Sequence, residues 1–378
     1  MSFTRLTILH LEMKRSICFF IVGVLTSICC FGQPLSNPLK PSIPFLPKVD
    51  LISVNISQDT ISTLLKLINA TPPNDFRAIV VLKNNKLVLE EYFNTYWRET
   101  IHDIRSAGKS VTSLLLGIAI DKGLVKSTEQ SIYDFFPGYK NVQSNKPARK
   151  DIKIKHLLAM SSGLNADDDD DHSPGRTGNW LMKDNWVDFA LSLPMIFDPG
   201  EKYMYNDISP MLIGAIIEKT SGKKLAEFAK ENLFSPLDIR EFYWYTAPNG
   251  STGPMGNLYI TALDFAKIGQ LVLKKGRWGE KQIISPEWIN QIYKTRFDIS
   301  KENPFASSYG YFWYAVTKKV NGKSFDCIYA SGNGGNLLFI VPSENLVVSL
   351  QSSAYGQGYG THRSHNIFEF ILKSLTGE

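Results

Sequence analysis

The segment Ile104-Arg-Ser106-Ala-Gly-Lys109-Ser-Val-Thr-Ser-Leu-Leu sets a serine three residues before a lysine, where an apolar helix begins. Residues i and i+3 share a helix face, so the Lys109 amine can reach the Ser106 hydroxyl. A serine hydroxyl is a weak nucleophile until a neighbouring base takes its proton. Lys109 can be that base if burial or a second cation lowers its basicity. The helix N-terminus would favour a developing oxyanion beside Ser106. The same spacing recurs at Ser221-Gly-Lys-Lys224, where Gly222 reads as a helix C-cap and the pair as a structural turn. Context separates the two copies. A strand hairpin precedes Ser106, and a long apolar helix carries Lys109 inward, where an idle lysine is costly.

Two more segments could join this chemistry. Phe197-Asp-Pro-Gly-Glu-Lys-Tyr203-Met-Tyr205-Asn206-Asp207 holds tyrosines between a Pro-Gly turn and a helix. A tyrosine there can move a proton between nucleophile and leaving group; otherwise Tyr203 and Tyr205 are packing aromatics. Tyr329-Ala-Ser331-Gly332-Asn333-Gly-Gly-Asn336 runs into an apolar strand. Glycine-rich backbone beside a strand admits a substrate closely and can offer it an N–H.

The elements that position these groups follow from periodicity. Ser57–Ile68 has helical spacing, and Ala78–Leu82 and Leu87–Tyr92 flank Asn84-Asn85 as a β-hairpin. Ser106–Gly123 reads as an apolar helix. Helical patterns dominate the middle, at Ile152–Met160, Trp186–Leu193, Ser209–Lys219, Lys224–Leu233 and Ala262–Lys274. Strand patterns return at Tyr309–Val316, Cys327–Ala330, Leu337–Val341 and Leu346–Gln351, before a last helix near Asn366–Leu375. The expected fold is α/β in the α+β sense. One antiparallel sheet is built from both chain ends and flanked by helices, with a mainly helical lobe over about 124–275 inserted and a cleft between.

The first 32 residues read as a secretory signal peptide, with basic Lys14 and Arg15 before an apolar run from Ile17 to Phe31. An uncleaved anchor is the other reading of this segment. Residues 33–50 are proline-rich and read as a linker, leaving 51–378 as the domain. Of four cysteines, three lie in the signal, so the exported chain keeps Cys327 alone and has no internal disulfide. Cys327 sits in an apolar stretch and reads as packing. The net charge of +5 comes without a basic stripe, which argues against a nucleic-acid partner.

Taken in order, Ser-x-x-Lys, Ser162-Gly163-Leu164, Pro-Gly…Tyr-x-Asx and the glycine-rich strand resemble the serine β-lactamase superfamily. The closest branch is the β-lactamase-related, CubicO-type serine hydrolases, with class C β-lactamases, DD-peptidases, esterases and nylon-oligomer hydrolases. Gly256–Gly269 and Gly276-Arg-Trp-Gly…Ile284-Ser-Pro-Glu-Trp288 add to the likeness, which runs from about Ala78 to the C-terminus. The resemblance implies a β-lactamase/DD-peptidase-like fold. Ser106 is then the acylated nucleophile, Lys109 its proton acceptor and Tyr205 a second proton-transfer group. The backbone N–H groups of Ser106 and Asn333 form the oxyanion hole, and Asp207, Ser331 and Gly332 contact substrate. It implies a small or peptide-like acyl substrate and no metal or organic cofactor.

Two departures shape the expected specificity. Asp207 stands where the family's tyrosine element ends in Asn, and Ala330-Ser-Gly stands where a Lys-Thr-Gly or His-x-Gly is usual. Without a cation at Ala330 to hold a substrate carboxylate, the reading leans from β-lactamase toward esterase or amidase. A penicillin-binding DD-peptidase and a non-catalytic binding protein on the same fold are the alternatives. The run Asp167–Asp171 lacks the spacing of a calcium loop and reads as a solvated loop near the cleft mouth. His156 reads as a core or edge histidine, His362 and His365 have no partner pattern, and Trp180 and Trp186 either line the cleft or pack. No His-Glu-x-x-His or Gly-x-Ser-x-Gly occurs, which excludes the common zinc-hydrolase and α/β-hydrolase signatures.

Overall fold

The hairpin near the N-terminal end of the domain forms around Asn84 and Asn85, both with positive φ, as the turn between its strands requires. Its strands, Phe76–Lys83 and Lys86–Tyr92, make one side of an eight-stranded sheet. This computed structural model describes residues 46–139, 151–294 and 297–376. The signal segment and most of the proline-rich linker lie outside them.

The sheet is antiparallel throughout. From the hairpin it continues through Leu346–Ser352, Asn336–Val341, Lys323–Gly332, Trp313–Val320 and Ser308–Gly310 to Phe297–Asp298. The first long strand therefore pairs with the last, Val80 opposite Ser349, and the two ends of the domain close one sheet. The central strand Asn336–Val341 is buried along its whole length, because helices cover both faces. Its side chains alternate. Phe339 stacks on Phe368 of the C-terminal helix Gly358–Lys373 at 3.8 Å, while Leu338 packs on Gly269 of the helix Ala262–Leu273. Each large apolar side chain buried this way contributes about 1.5–3 kcal/mol.

The helix Ala262–Leu273 thus belongs to the sheet layer. Its Gln270 also donates to Asn85 in the hairpin turn, and Gln351 donates to the Ile260 carbonyl just before it. Sequence placed this helix in the inserted lobe, because an amphipathic pattern does not say which surface its apolar face will meet. The C-terminal helix is also longer than its pattern, starting at Gly358. The glycine- and histidine-containing first turns hide the periodicity that becomes clear after Asn366.

The helix Gly108–Asp121 is buried without a break from Gly108 to Ala119. An all-round apolar helix must be enclosed on every side. It lies between the sheet strand Lys323–Gly332 and the lobe helix Ile208–Ser221. That position sets its N-terminus, with Ser106 just before it, where the sheet meets the lobe.

Candidate active site

The turn that delivers Ser106 is strained. Arg105 adopts φ 52°, an unusual value for a residue with a Cβ. Its N–H donates to Asp103 Oδ1 at 2.8 Å, and its guanidinium pairs with Asp103 and lies 4.2 Å over the Tyr355 ring. Asn257 donates to the other Asp103 oxygen at 3.0 Å, and the Ile104 N–H donates to the Leu258 carbonyl at 3.0 Å. The segment 254–258 is therefore a backbone cradle under the turn. Within this frame Ser106 remains partly exposed, whereas Lys109 is 2% exposed.

Lys109 Nζ has three acceptors: Ser106 Oγ at 2.9 Å, the Met255 carbonyl at 2.8 Å and Asp207 Oδ1 at 2.7 Å. An ammonium has three protons, so this shell is complete for the charged form. Burial by itself would make the amine less basic. The Asp207 carboxylate, with Tyr205 beside it, outweighs burial and holds Lys109 above its ordinary value of 10.5. The lowered amine expected from burial is therefore not what the surroundings produce. The Tyr205 ring lies 4.9 Å from Nζ.

Asp207 is free to make this contact because its neighbour caps the helix. Asn206 Oδ1 accepts from the Ser209 N–H at 2.7 Å, satisfying the first turn of Ile208–Ser221. Both Asp207 oxygens are engaged, Oδ1 by Lys109 and Oδ2 by Thr177 Oγ1 at 2.8 Å. Sequence assigned Asp207 to substrate; the fold turns it toward the lysine instead.

Ser162-Gly163-Leu164 supports the tyrosine loop. Gly163 has φ 82°, and a Cβ there would lie 2.3 Å from the Phe197 carbonyl oxygen, so glycine is needed where the two segments touch. The Met204 N–H donates to the Met160 carbonyl at 2.8 Å, which fixes the chain just before Tyr205. Tyr203 packs edge-on against Tyr309 at 5.3 Å, so of the two tyrosines it is Tyr205 that reaches the lysine.

Residues 77–370 match the family model Beta-lactamase. The chain belongs to the beta-lactamase family. With that membership it is a serine hydrolase. A candidate 6-aminohexanoate-dimer hydrolase from Bacillus anthracis superposes with TM-score 0.69 at 22% identity, covering 88% of each chain. A family VIII carboxylesterase superposes with TM-score 0.65 at 15% identity, covering 85% of this chain and 99% of its own. The N-acetylmuramyl-L-alanine amidase of Bacillus subtilis is 25% identical over 202 residues, 50% of this chain and 45% of the amidase. The match thus spans under half the length of that relative. The structural likenesses establish the fold.

In this beta-lactamase-family chain the glycine-rich strand end reaches the Ser106 turn. A Cβ on Gly332 would lie 1.9 Å from the Ile104 carbonyl oxygen and 3.2 Å from the Ala107 nitrogen. That close approach sets Asn333 next to the turn, with Asn333 Oδ1 accepting from the Gly356 N–H at 2.6 Å. Ser331 is half-buried on the same strand end, and Ala330 is fully buried, its methyl in the core.

The acidic run divides. Asp169, Asp170, Asp171 and His172 are exposed, as a solvated loop requires. Asp168 turns inward and meets Asp207 and Thr177, which corrects the reading of the whole run as solvent-facing. Trp180 and Trp186 are buried and meet edge-to-face at 5.2 Å, so they pack. His156 accepts from the Lys153 N–H as a helix-capping group. Gly222 ends the helix Ile208–Ser221 with φ 69°; Ser221 Oγ accepts from the Lys223 N–H and Lys224 faces Glu218, as a structural turn requires. Cys327 is buried and free.

Sequence reasoning missed Asp103, Arg105, Asp168, Thr177, Met255 and Asn257. Met255 acts through its carbonyl, for which no side-chain pattern exists. Asp168 was hidden by its identical neighbours. A large cavity of about 890 Å³, lined by His156, Gly200, Trp288 and Tyr311, does not include Ser106.

Proposed function

We propose that the protein is an exported serine hydrolase that cleaves an ester or amide through a Ser106 acyl-enzyme. The observation that carries this is the continuous chain from Ser106 Oγ to Lys109 Nζ to Asp207 Oδ1, at 2.9 and 2.7 Å. Because Lys109 is already an ammonium, it works as a relay. Nζ first passes one proton to Asp207 Oδ1, which frees its lone pair, and Ser106 Oγ then attacks the acyl carbon as its own proton passes to Nζ. The lysine carries the same charge before and after, and the proton rests on Asp207. The tetrahedral oxyanion forms against the N–H groups of Ser106 and Asn333. Tyr205 moves the proton to the leaving group, and water then releases the acyl group by the same route in reverse.

Substrate preference follows from charge. Ala330 offers no cation for a substrate carboxylate, and Arg105 is occupied by Asp103 and Tyr355. The reading therefore favours weakly anionic acyl compounds over β-lactams or peptidoglycan stems. Export rests on the sequence of residues 1–32; no helix among the described residues is long and apolar enough to cross a membrane.

The test is intact mass after exposure to a fluorophosphonate, a penicillin and a p-nitrophenyl ester, with Ser106→Ala as control. A Ser106-dependent phosphonate adduct with ester turnover and no penicillin adduct is expected. A long-lived penicillin adduct would replace this reading with a cell-wall peptidase, rapid penicillin turnover with a β-lactamase. No adduct at all would point to a binding protein on the same fold.

A further inference from the structure

Behind Asp207 lies a second carboxyl that the mechanism does not use. Asp168 Oδ1 accepts from the Thr177 N–H at 2.7 Å, and Asp168 Oδ2 accepts from the Asp207 N–H at 2.6 Å. Thr177 Oγ1 stands 2.8 Å from Asp168 Oδ1 and 2.8 Å from Asp207 Oδ2. A hydroxyl has one proton to donate. It satisfies one of these contacts, and the other needs a proton carried by a carboxyl. Asp207 is held against the Lys109 ammonium and is the ionised member of the pair. The remaining proton falls to Asp168.

We propose that Asp168 is a neutral carboxylic acid that donates to Thr177 Oγ1, so that Thr177 donates to Asp207 Oδ2 and fixes Asp207 on Lys109. Asp168 and Thr177 are then positioning residues for the relay. This rests on the Ser106 reading for its effect on turnover, but the protonation itself is a property of the fold.

Charged and titratable groups surround Asp168 on every side. Asp207 and Lys109 lie behind Thr177, and Tyr205 accepts from the Asp168 N–H through its carbonyl at 3.0 Å. On its own loop are Asp167, Asp169 and the Arg176–Asp171 ion pair. Burial, and then the Asp207 charge, push the Asp168 carboxyl above its ordinary value of 3.8, in agreement with the hydrogen-bond count. When Asp168 does ionise, two carboxylates compete for one hydroxyl proton. Asp207 Oδ2 then loses its donor, and its carboxylate is no longer fixed on Lys109.

Two readouts test this. The first needs no substrate: infrared difference spectra of wild type minus Asp168→Asn, titrated with pH. A protonated carboxylic acid band is expected at neutral pH, with a midpoint above the ordinary aspartate value of about 3.9. A carboxylate at Asp168 already at neutral pH, or a band lost in Asp207→Asn and kept in Asp168→Asn, overturns the proposal. The second is p-nitrophenyl ester hydrolysis across pH. Thr177→Val should lower kcat roughly tenfold, a fraction of what a proton-transfer group supplies, with KM unchanged. Thr177→Ser, which restores the hydroxyl, should recover most of the loss. Asp168→Asn should abolish the alkaline limb that Asp168 ionisation produces. A Thr177→Val enzyme with unaltered kcat, folded by circular dichroism, overturns the positioning role. If wild type itself turns over no ester, the ester-cleaving reading of Ser106 fails while the infrared result still decides the proton.

Discussion

Lys109 Nζ and Asp207 Oδ1 are 2.7 Å apart, on side chains only 2% and 18% exposed. Two charges taken out of water in this way are held by each other, and removing one leaves the other uncompensated. Asp207→Ala should cost about 3 kcal/mol of unfolding free energy in a denaturant titration. Asp207→Asn, which keeps a polar contact, should cost less. Equal stability of Asp207→Ala and wild type would dissolve the pair as a structural element.

The same pair has a pH signature. Lys109 is raised above its unfolded value of 10.5, so the folded state holds its proton longer than the unfolded state. The stabilisation is fully present below that value and is lost as pH rises through the higher folded value. The stability gap between wild type and Asp207→Asn should be widest where both folded proteins hold the Lys109 proton and should narrow with rising pH, because the buried amine without its carboxylate gives up its proton first. A gap that widens with alkali would reverse the assigned charge state.

Ser106→Ala removes the nucleophile and one of three acceptors of Lys109. Ester turnover should fall by roughly 10³-fold or more, with the phosphonate adduct abolished. Thermal unfolding should move little, since Met255 and Asp207 still hold the ammonium.

Gly332→Ala puts a methyl against the Ile104 carbonyl. The strand and the Ser106 turn cannot both keep their places. Stability should fall by about 1–3 kcal/mol and ester turnover should fall with it. Gly358→Ala, with open space around it, should change stability by less than about 0.5 kcal/mol. Comparable effects at both positions would show that the close approach does not position the site.

His365 is buried among Phe305, Tyr329 and Phe339, and burial pushes it down to about 3. Its ring nitrogens have no hydrogen-bond partner among the described residues. Between the ordinary histidine value and about 3 the unfolded chain binds a proton that the folded chain refuses. Stability should therefore decline as pH falls below about 6.5, by at most about 1.4 kcal/mol for each step of one in pH. His365→Leu, which does not titrate, should flatten that decline. His102, pushed down by burial to about 4, adds a residual slope.

The sequence by itself determined what local physics governs. Asn84-Asn85 demanded a turn, Ser57–Ile68 a helix, and Leu337–Val341 a strand, because each depends on neighbours a few residues away. It also paired Ser106 with Lys109, since helix geometry puts i and i+3 together. Tertiary structure alone decided the charge on Lys109. That depends on Asp207, 98 residues along the chain, and on the Met255 carbonyl, 146 residues along. Tertiary structure likewise picked Asp168 out of five adjacent aspartates and brought it to Thr177 and Asp207. Composition makes those five alike; the folded surface leaves three of them, Asp169 to Asp171, in water and turns Asp168 toward a carboxylate, where a proton must come with it.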